Sequence, residues 1–139
     1  MANATFLQRL QAGEILVSDG ATGTNLQARG LTRGTPSEVW VLENPEEILR
    51  LHRDFVTAGS DIILTSTFGG NALRLQHAGL EGRVEEVNRR AVELARQAAG
   101  EKAMVAGSMG PLGQMMQPLG PLSEEEAGAA YAAQAKVLN

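Results

Sequence analysis

Short apolar runs without regular alternation mark three candidate strands in the chain. They cover Ile15–Val17, Ile62–Thr65 and Met104–Ala106. A continuous apolar run of this length is typical of a strand that is covered on both faces, as in a parallel sheet. Each run is followed by a polar segment that contains glycine, with the sequences SDGATGT, TSTFGGN and GSMGPLG. The pattern therefore predicts three buried strands, each leading into a polar loop.

Apolar positions with helical spacing predict helices after the second and third strands and one before the second. The clearest begins at Asn44, where Pro45 suits the first helical turn, and it stops at Gly59. By contrast, the 25 residues from Asp19 to Glu43 carry no clear helical signal and are predicted to form a long functional loop. The other predicted helices are Thr5–Gln11, Gly82–Ala99 and an alanine-rich segment that opens with a Ser123–Glu126 capping box and reaches Leu138.

A short helix followed by three βα units predicts an α/β fold with a parallel sheet. Two architectures fit this order, a doubly wound open sheet and part of a (β/α)₈ barrel. Both place binding residues at the carboxyl ends of the strands, where the three polar loops fall. A complete barrel takes about 250 residues, so a chain of 139 residues corresponds to about half of one.

Composition limits the possible functions of the chain more than it limits the possible folds. The net charge of −4 and an aromatic content of 4% disfavour nucleic-acid binding. No stretch approaches the roughly 20 apolar residues of a membrane span, and the N-terminus lacks the pattern of a signal peptide. The absence of cysteine excludes disulfides and thiolate metal ligands. We therefore expect a cytoplasmic protein.

The residues of the polar loops allow more than one interpretation. DGATGT fits neither common phosphate-binding motif, and Asp19 is either a turn cap or one wall of a pocket. Thr67 and Asn71 likewise either cap the next turn or line that pocket. The two histidines, His52 and His77, fall in helical contexts away from the strand ends, and His52 is predicted to lie on a helix surface. A Ser–His hydrolase is therefore not favoured.

Three segments taken together resemble the homocysteine S-methyltransferase family, the (β/α)₈ module found in betaine–homocysteine methyltransferase and in the N-terminal part of cobalamin-dependent methionine synthase. They are ILVSDGATGTNLQARGL, SEVWVLENPEEILRLHRDFVTAGSDIILTSTFGGN and VAGSMGPLG. The resemblance implies that residues 1–139 are the N-terminal portion of one homocysteine-binding TIM-barrel domain. They would supply about three βα units and a short N-terminal helix.

The resemblance also implies a reaction. Family members transfer a methyl group to the thiol of homocysteine, which gives methionine, and three cysteine thiolates hold the Zn²⁺ that activates this thiol. The donor is left open among betaine, S-methylmethionine and a methylfolate delivered through a corrinoid protein. Because this chain has no cysteine, we expect it to contain the amino-acid-binding part of the site, no zinc ligands and no catalytic residue. A non-catalytic binding or assembly module is the alternative.

The family pattern assigns substrate-binding roles to nine positions. Asp19 matches an acid that pairs with the substrate ammonium group, and backbone amides after it suit the substrate carboxylate. Because a half barrel exposes strand edges, we also expect the chain to self-associate. The complete set of expected substrate-binding residues is Asp19, Gly20, Ala21, Thr22, Trp40, Thr65, Thr67, Asn71 and Ser108.

Overall fold

The computed structural model describes residues 5–139 as a helix-rich α/β arrangement around a small parallel sheet. The strands are β1 (Ile62–Leu64) and β2 (Met104–Ala106), with Ile63 opposite Val105. This confirms the second and third predicted strands, except that β1 ends at Leu64. The helices are α1 (Phe6–Gln11), α2 (Gly23–Ala28), α3 (Ser37–Glu43), α4 (Pro45–Thr57), α5 (Ala72–Leu75), α6 (Val84–Ala99) and α7 (Glu124–Leu138), with 3₁₀ turns at Gln76–Ala78 and Glu81–Arg83.

The first predicted strand, Ile15–Val17, is wrong as a buried strand. The segment joins the sheet through a single parallel bridge between Ser18 and Ile62, where the Asp19 amide donates to the Ile62 carbonyl at 2.9 Å and the Ile62 amide donates to the Val17 carbonyl at 3.2 Å. Ile15 is 91% exposed and Val17 is 54% exposed. Burial of these side chains needs an element packed against them, and the described part of the chain supplies none there.

Helices α4, α6 and α7 follow the sequence signals closely. In α7 the predicted capping box is present, because Ser123 Oγ accepts from the Glu126 amide at 3.2 Å while Glu126 Oε2 accepts from the Ser123 amide at 2.9 Å. Gly59 follows the end of α4 with φ of 102°, a left-handed conformation that glycine adopts without strain. Asn44 precedes α4, but its side chain makes no capping bond.

The segment between Asp19 and Glu43 is not a loop, which corrects the prediction. It contains α2 and α3, each shorter than eight residues. Helices this short are marginal by themselves and depend on tertiary burial. Leu26 of α2 and Val41 of α3 are completely buried, and Leu31 between the two helices is nearly so.

The main core lies between α2, α3, α4 and α6, and a smaller cluster around Ile63 attaches β1 to α6. Because successive side chains of a strand point to opposite faces, Leu64 lies on the face away from the helices, and it is exposed. The sheet is therefore covered on one face only within residues 5–139. None of the helices in this range has the length and hydropathy required to span a membrane.

Candidate functional site

An open cleft of about 710 Å³ lies at the carboxyl ends of β1 and β2, and we call it the strand-end cleft. Three of the nine predicted site residues line it: Thr22, Thr65 and Ser108. The rest of the wall comes from α2, from the start of α3 and the residues before it, from the end of β1 and the turn after it, and from α5 with the 3₁₀ turn that follows. The other lining residues are Gly23, Gln27, Gly34, Thr35, Pro36, Ser37, Glu38, Leu64, Ser66, Phe68, Gly69, Arg74 and His77.

Buried hydroxyl groups connect the two strand-end loops. Thr67 Oγ1 donates to the Ser108 carbonyl at 2.7 Å, and the Ser108 amide donates to Thr65 Oγ1 at 3.0 Å. The two threonine hydroxyls are 2.6 Å apart. Because the Thr67 hydroxyl hydrogen is directed to the Ser108 carbonyl, the bond between the two threonines has the Thr65 hydroxyl as donor and Thr67 Oγ1 as acceptor. Thr67 is completely buried, so it fixes the loops and does not face the cleft.

Two amide side chains support the same turn from the helices behind it. Asn88 of α6 donates to the Gly70 carbonyl at 2.8 Å, and Gln134 of α7 donates to the Thr67 carbonyl at 2.7 Å. Gln134 also donates to Asn88 Oδ1 at 3.1 Å. We call Thr65, Thr67, Asn88 and Gln134 the polar network. It holds the backbone that forms one wall of the cleft.

Asn71 is completely buried and caps α5, where its Oδ1 accepts from the Arg74 amide at 3.0 Å. Of the two interpretations that the sequence left open, its side-chain oxygen therefore follows the capping one. Its Nδ2 has no hydrogen-bond partner in the described residues. Asn71 does not line the cleft.

Asp19 lies just outside the cleft, beside Leu64, which lines it. Asp19 Oδ2 accepts from the Leu64 amide at 3.0 Å, and Oδ1 accepts from the Ser18 hydroxyl at 3.2 Å. The carboxylate is half-buried and retains free lone pairs, because each oxygen offers about two. Gly20 and Ala21 follow in an exposed irregular segment, and within residues 5–139 neither amide donates to a backbone acceptor.

Trp40 does not line the cleft. It is partly buried on α3 and packs against the main core. The structure therefore brings Thr22, Thr65 and Ser108 together in the cleft and does not bring Trp40 to them.

Glu38 is a cleft residue that the sequence reasoning missed. Its side chain is only 3% exposed, and Oε1 accepts from the Gly69 amide at 2.6 Å. Ser66 also lines the cleft and is almost completely buried. Its hydroxyl has no hydrogen-bond partner in the described residues. Glu38 carried no usable sequence signal because it falls in the segment without clear helical periodicity.

Both histidines differ from expectation. His52 is 1% exposed in the core face of α4 rather than on a helix surface, and neither ring nitrogen has a partner among residues 5–139. Burial lowers the pKa of His52, and the nearby charge of Asp19 opposes that shift. His77 lines the strand-end cleft instead of lying away from the strand ends. Neither position was predictable from helical spacing.

A metal site is not formed by the described residues. Within residues 5–139, no group of three or more His, Asp or Glu side chains is arranged to hold an ion, and the sequence has no cysteine. Zn²⁺ sites in proteins need three or four such ligands. The described residues therefore do not supply the ligands for the zinc ion that the sequence resemblance implies.

The comparisons with known proteins agree on one family. A sequence model of the Homocysteine S-methyltransferase family matches residues 16–139. S-methylmethionine--homocysteine S-methyltransferase BHMT2 of Pongo abelii is 35% identical over 112 residues, which cover 78% of this chain and 29% of that protein. Betaine--homocysteine S-methyltransferase 1 of Danio rerio is 36% identical over 107 residues, covering 74% of this chain and 27% of the relative. The crystal structure of the homocysteine methyltransferase MmuM from Escherichia coli, oxidized form, superimposes with a TM-score of 0.66 at 32% identity, over 77% of this chain and 41% of that one.

Proposed function

Because the chain belongs to the homocysteine S-methyltransferase family, we propose that it forms the amino-acid-binding part of an enzyme that methylates the homocysteine thiol to give methionine. The family match over residues 16–139 carries this proposal, since it includes all three strand-end segments. The chain spans less than a third of the length of the two curated relatives described above. The small parallel sheet is accordingly proposed to be part of a TIM barrel, whose active site lies at the carboxyl ends of the strands.

The proposed roles of the strand-end residues follow from their hydrogen-bonding capacity. Asp19 is held by the Leu64 amide and keeps lone pairs that suit the three N–H donors of a substrate ammonium group. The exposed amides of Gly20 and Ala21 suit the substrate carboxylate. Thr65 and Ser108 line the strand-end cleft together with Leu64, and the side chain of the amino acid is proposed to lie there.

The proposal limits these residues to binding and orientation. A family enzyme uses zinc to make the homocysteine thiol reactive, but the described residues supply no ligand set for it. We therefore assign no step of methyl transfer to this chain. The methyl donor, including a corrinoid-bound methyl group derived from folate, is not specified by any described residue.

Self-association is part of the proposal, and a second copy of this chain is the proposed partner. Ile15, Val17 and Leu64 expose apolar surface around the sheet, and β2 has no further strand beside it within residues 5–139. Exposed strand edges and apolar faces favour pairing with another chain. Analytical ultracentrifugation is expected to show a dimer or larger species, and a compact 14.7 kDa monomer would contradict this point.

Isothermal titration calorimetry with L-homocysteine tests the binding role. Asp19→Asn is expected to weaken binding by about 10- to 100-fold, the scale of one hydrogen bond to a charged group. Asp54→Asn is the matched control, because Asp54 is an exposed residue of α4 that pairs with Arg29. Equal affinities of the wild type and Asp19→Asn would rule out the role given to Asp19.

A methyl-transfer assay separates the proposal from the alternative of a non-catalytic binding or assembly module. The chain with added Zn²⁺ and a methyl donor is expected to form no methionine by itself, because it holds no zinc ligands. Homocysteine binding without turnover supports the proposed part of a site. Methionine formed by these 139 residues alone would refute the restriction to binding.

A further inference from the structure

Two side chains that line the strand-end cleft, Phe68 and Arg74, lie directly on glycines of the segment GSMGPLG (107–113) that follows β2. A Cβ at Gly110 would lie 2.8 Å from the ring carbons Cδ1 and Cε1 of Phe68. A Cβ at Gly113 would lie 2.8 Å from Cδ and 3.1 Å from Nη1 of Arg74. Both side chains therefore occupy space that only glycine leaves free, and this segment acts as their seat.

Arg74 carries a positive charge that no ion pair compensates within residues 5–139. By contrast, Arg83, Arg89 and Arg90 each pair with a glutamate of α6. The guanidinium group has five N–H donors in a planar fork. Because packing on Gly113 restrains the Arg74 side chain, less conformational entropy is lost when these donors bind a ligand.

His77 lies beside Arg74 on the same side of the cleft. It belongs to the 3₁₀ turn that directly follows α5, and it also lines the cleft. Residues three apart in a helical segment are neighbours on its surface. A neutral imidazole still donates one hydrogen bond, so His77 adds a donor next to the guanidinium. We call Phe68, Arg74 and His77 the arginine wall.

The charges of the cleft favour a ligand with one negative charge. Among residues 5–139, Arg74 is the one arginine or lysine that lines the cleft, and Glu38 is the one carboxylate. A single guanidinium near a fixed carboxylate compensates a monoanion better than a phosphate dianion. Its fork also matches the two oxygens of a carboxylate. The ring of Phe68, which is 56% exposed, offers an apolar surface for the rest of the ligand.

We propose that Arg74, with His77 beside it, binds the carboxylate of a second ligand whose apolar body lies on Phe68. The cleft volume of about 710 Å³ falls within the roughly 300–1,000 Å³ of small-molecule sites, so it has room for a ligand larger than an amino acid. The inference goes beyond the proposed function. There the homocysteine carboxylate is assigned to Gly20 and Ala21, which do not line the cleft.

The test uses the full chain and two probes that differ in charge. 3-Phenylpropanoate carries a carboxylate on an apolar body, and 3-phenylpropanamide is its neutral counterpart of nearly the same shape. NMR titration of the ¹⁵N-labelled wild type is expected to show saturable shifts at Phe68, Arg74 and Gly113, and about 10-fold tighter binding of the acid. Arg74→Gln is expected to weaken acid binding by about 10-fold and to change amide binding less than about twofold.

Three controls separate ligand recognition from a structural role. Arg53→Gln removes the same charge from an exposed arginine of α4 and is expected to leave acid binding unchanged. Arg74→Lys keeps the charge without the planar fork, so a partly recovered preference for the acid assigns the effect to the charge. The Gly110 amide donates to the Phe68 carbonyl at 2.9 Å, and its hydrogen exchange shows whether the segment stays folded in each variant.

The remaining outcomes are decisive. Equal binding of acid and amide to the wild type, or no binding of the acid, overturns the inference. Equal losses for both probes in Arg74→Gln mean that Arg74 only shapes the wall, and they overturn it too. Tighter binding of 2-phenylethyl phosphate than of the acid refutes the choice of a carboxylate. If the acid binds through Arg74 while L-homocysteine does not bind, the inference stands and the proposed function fails.

Discussion

Thr67 offers the sharpest test of how the cleft is built. Thr67→Val keeps the shape of the side chain and removes only the hydroxyl group, so it creates no cavity. That hydroxyl donates to the Ser108 carbonyl at 2.7 Å and lies 2.6 Å from the Thr65 hydroxyl. The substitution therefore leaves the partly buried Ser108 carbonyl without its donor and the buried Thr65 hydroxyl without its acceptor, next to a position that is itself completely buried.

The magnitude follows from these two lost contacts. Each hydrogen bond contributes about 1 kcal/mol net, and a buried group left unsatisfied costs about 1–3 kcal/mol. The Ser108 carbonyl is only partly buried, so water compensates some of its loss. We expect Thr67→Val to lower the free energy of unfolding by about 2 kcal/mol.

Urea denaturation of the full chain, followed by circular dichroism, measures this loss. Thr24→Val is the matched control, because Thr24 is an exposed threonine of α2, and it is expected to change stability by less than about 0.5 kcal/mol. In a double-mutant cycle, Thr65→Val is expected to be non-additive with Thr67→Val, since both residues share one bond. A Thr67→Val loss no larger than that of the control would refute the role of the polar network.

Three further substitutions test other features of the fold. Gly70→Ala is expected to destabilise the chain by about 1–3 kcal/mol because its Cβ would lie 2.6 Å from Asn88 Oδ1. In contrast, a Cβ at Gly128 of α7 would meet no atom within 4 Å, and Gly128→Ala is expected to stabilise the chain by about 0.5–1 kcal/mol in the same urea assay. Equal changes in stability for the two glycine substitutions would contradict the close contact at Gly70. His52→Leu is expected to reduce the loss of stability on acidification. Burial lowers the folded-state pKa of His52, so the unfolded chain binds more protons and wild-type stability falls as pH drops from about 6.5 toward that lower pKa. Denaturation at about pH 7.5 and 5.5 measures this difference, and an identical pH dependence of both proteins would contradict it.

Strong local signals made part of the fold predictable. In α7 the Ser123–Glu126 capping box marked the start, and Gly59 marked the end of α4. The second and third strands were visible as short apolar runs, and the burial of Ile63 against Ala95 and Ala99 of α6 agrees with that pattern. These features depend on residues close in sequence or on one strong periodicity.

Features that depend on tertiary contacts were not predictable from the sequence. Helices α2 and α3 are too short to show a period, and the burial of Leu26 and Val41 maintains them. Ile15 is apolar but exposed, because apolarity does not specify which element covers it. The sequence drew attention to Asp19 through its position after a strand, whereas Glu38 reaches the cleft only through the packing of α3 against the turn after β1.

The most direct test of the proposed binding site is an NMR titration of the ¹⁵N-labelled chain with L-homocysteine. The account predicts saturable chemical-shift changes at the amides of Gly20, Ala21 and Leu64. The Leu64 amide donates to Asp19, and Gly20 and Ala21 come directly after Asp19 in the chain. It also predicts shifts at Gly69 in the strand-end cleft. Absence of shifts, or shifts confined to the groove lined by Arg89, Arg96 and Lys136 between α6 and α7, would contradict it.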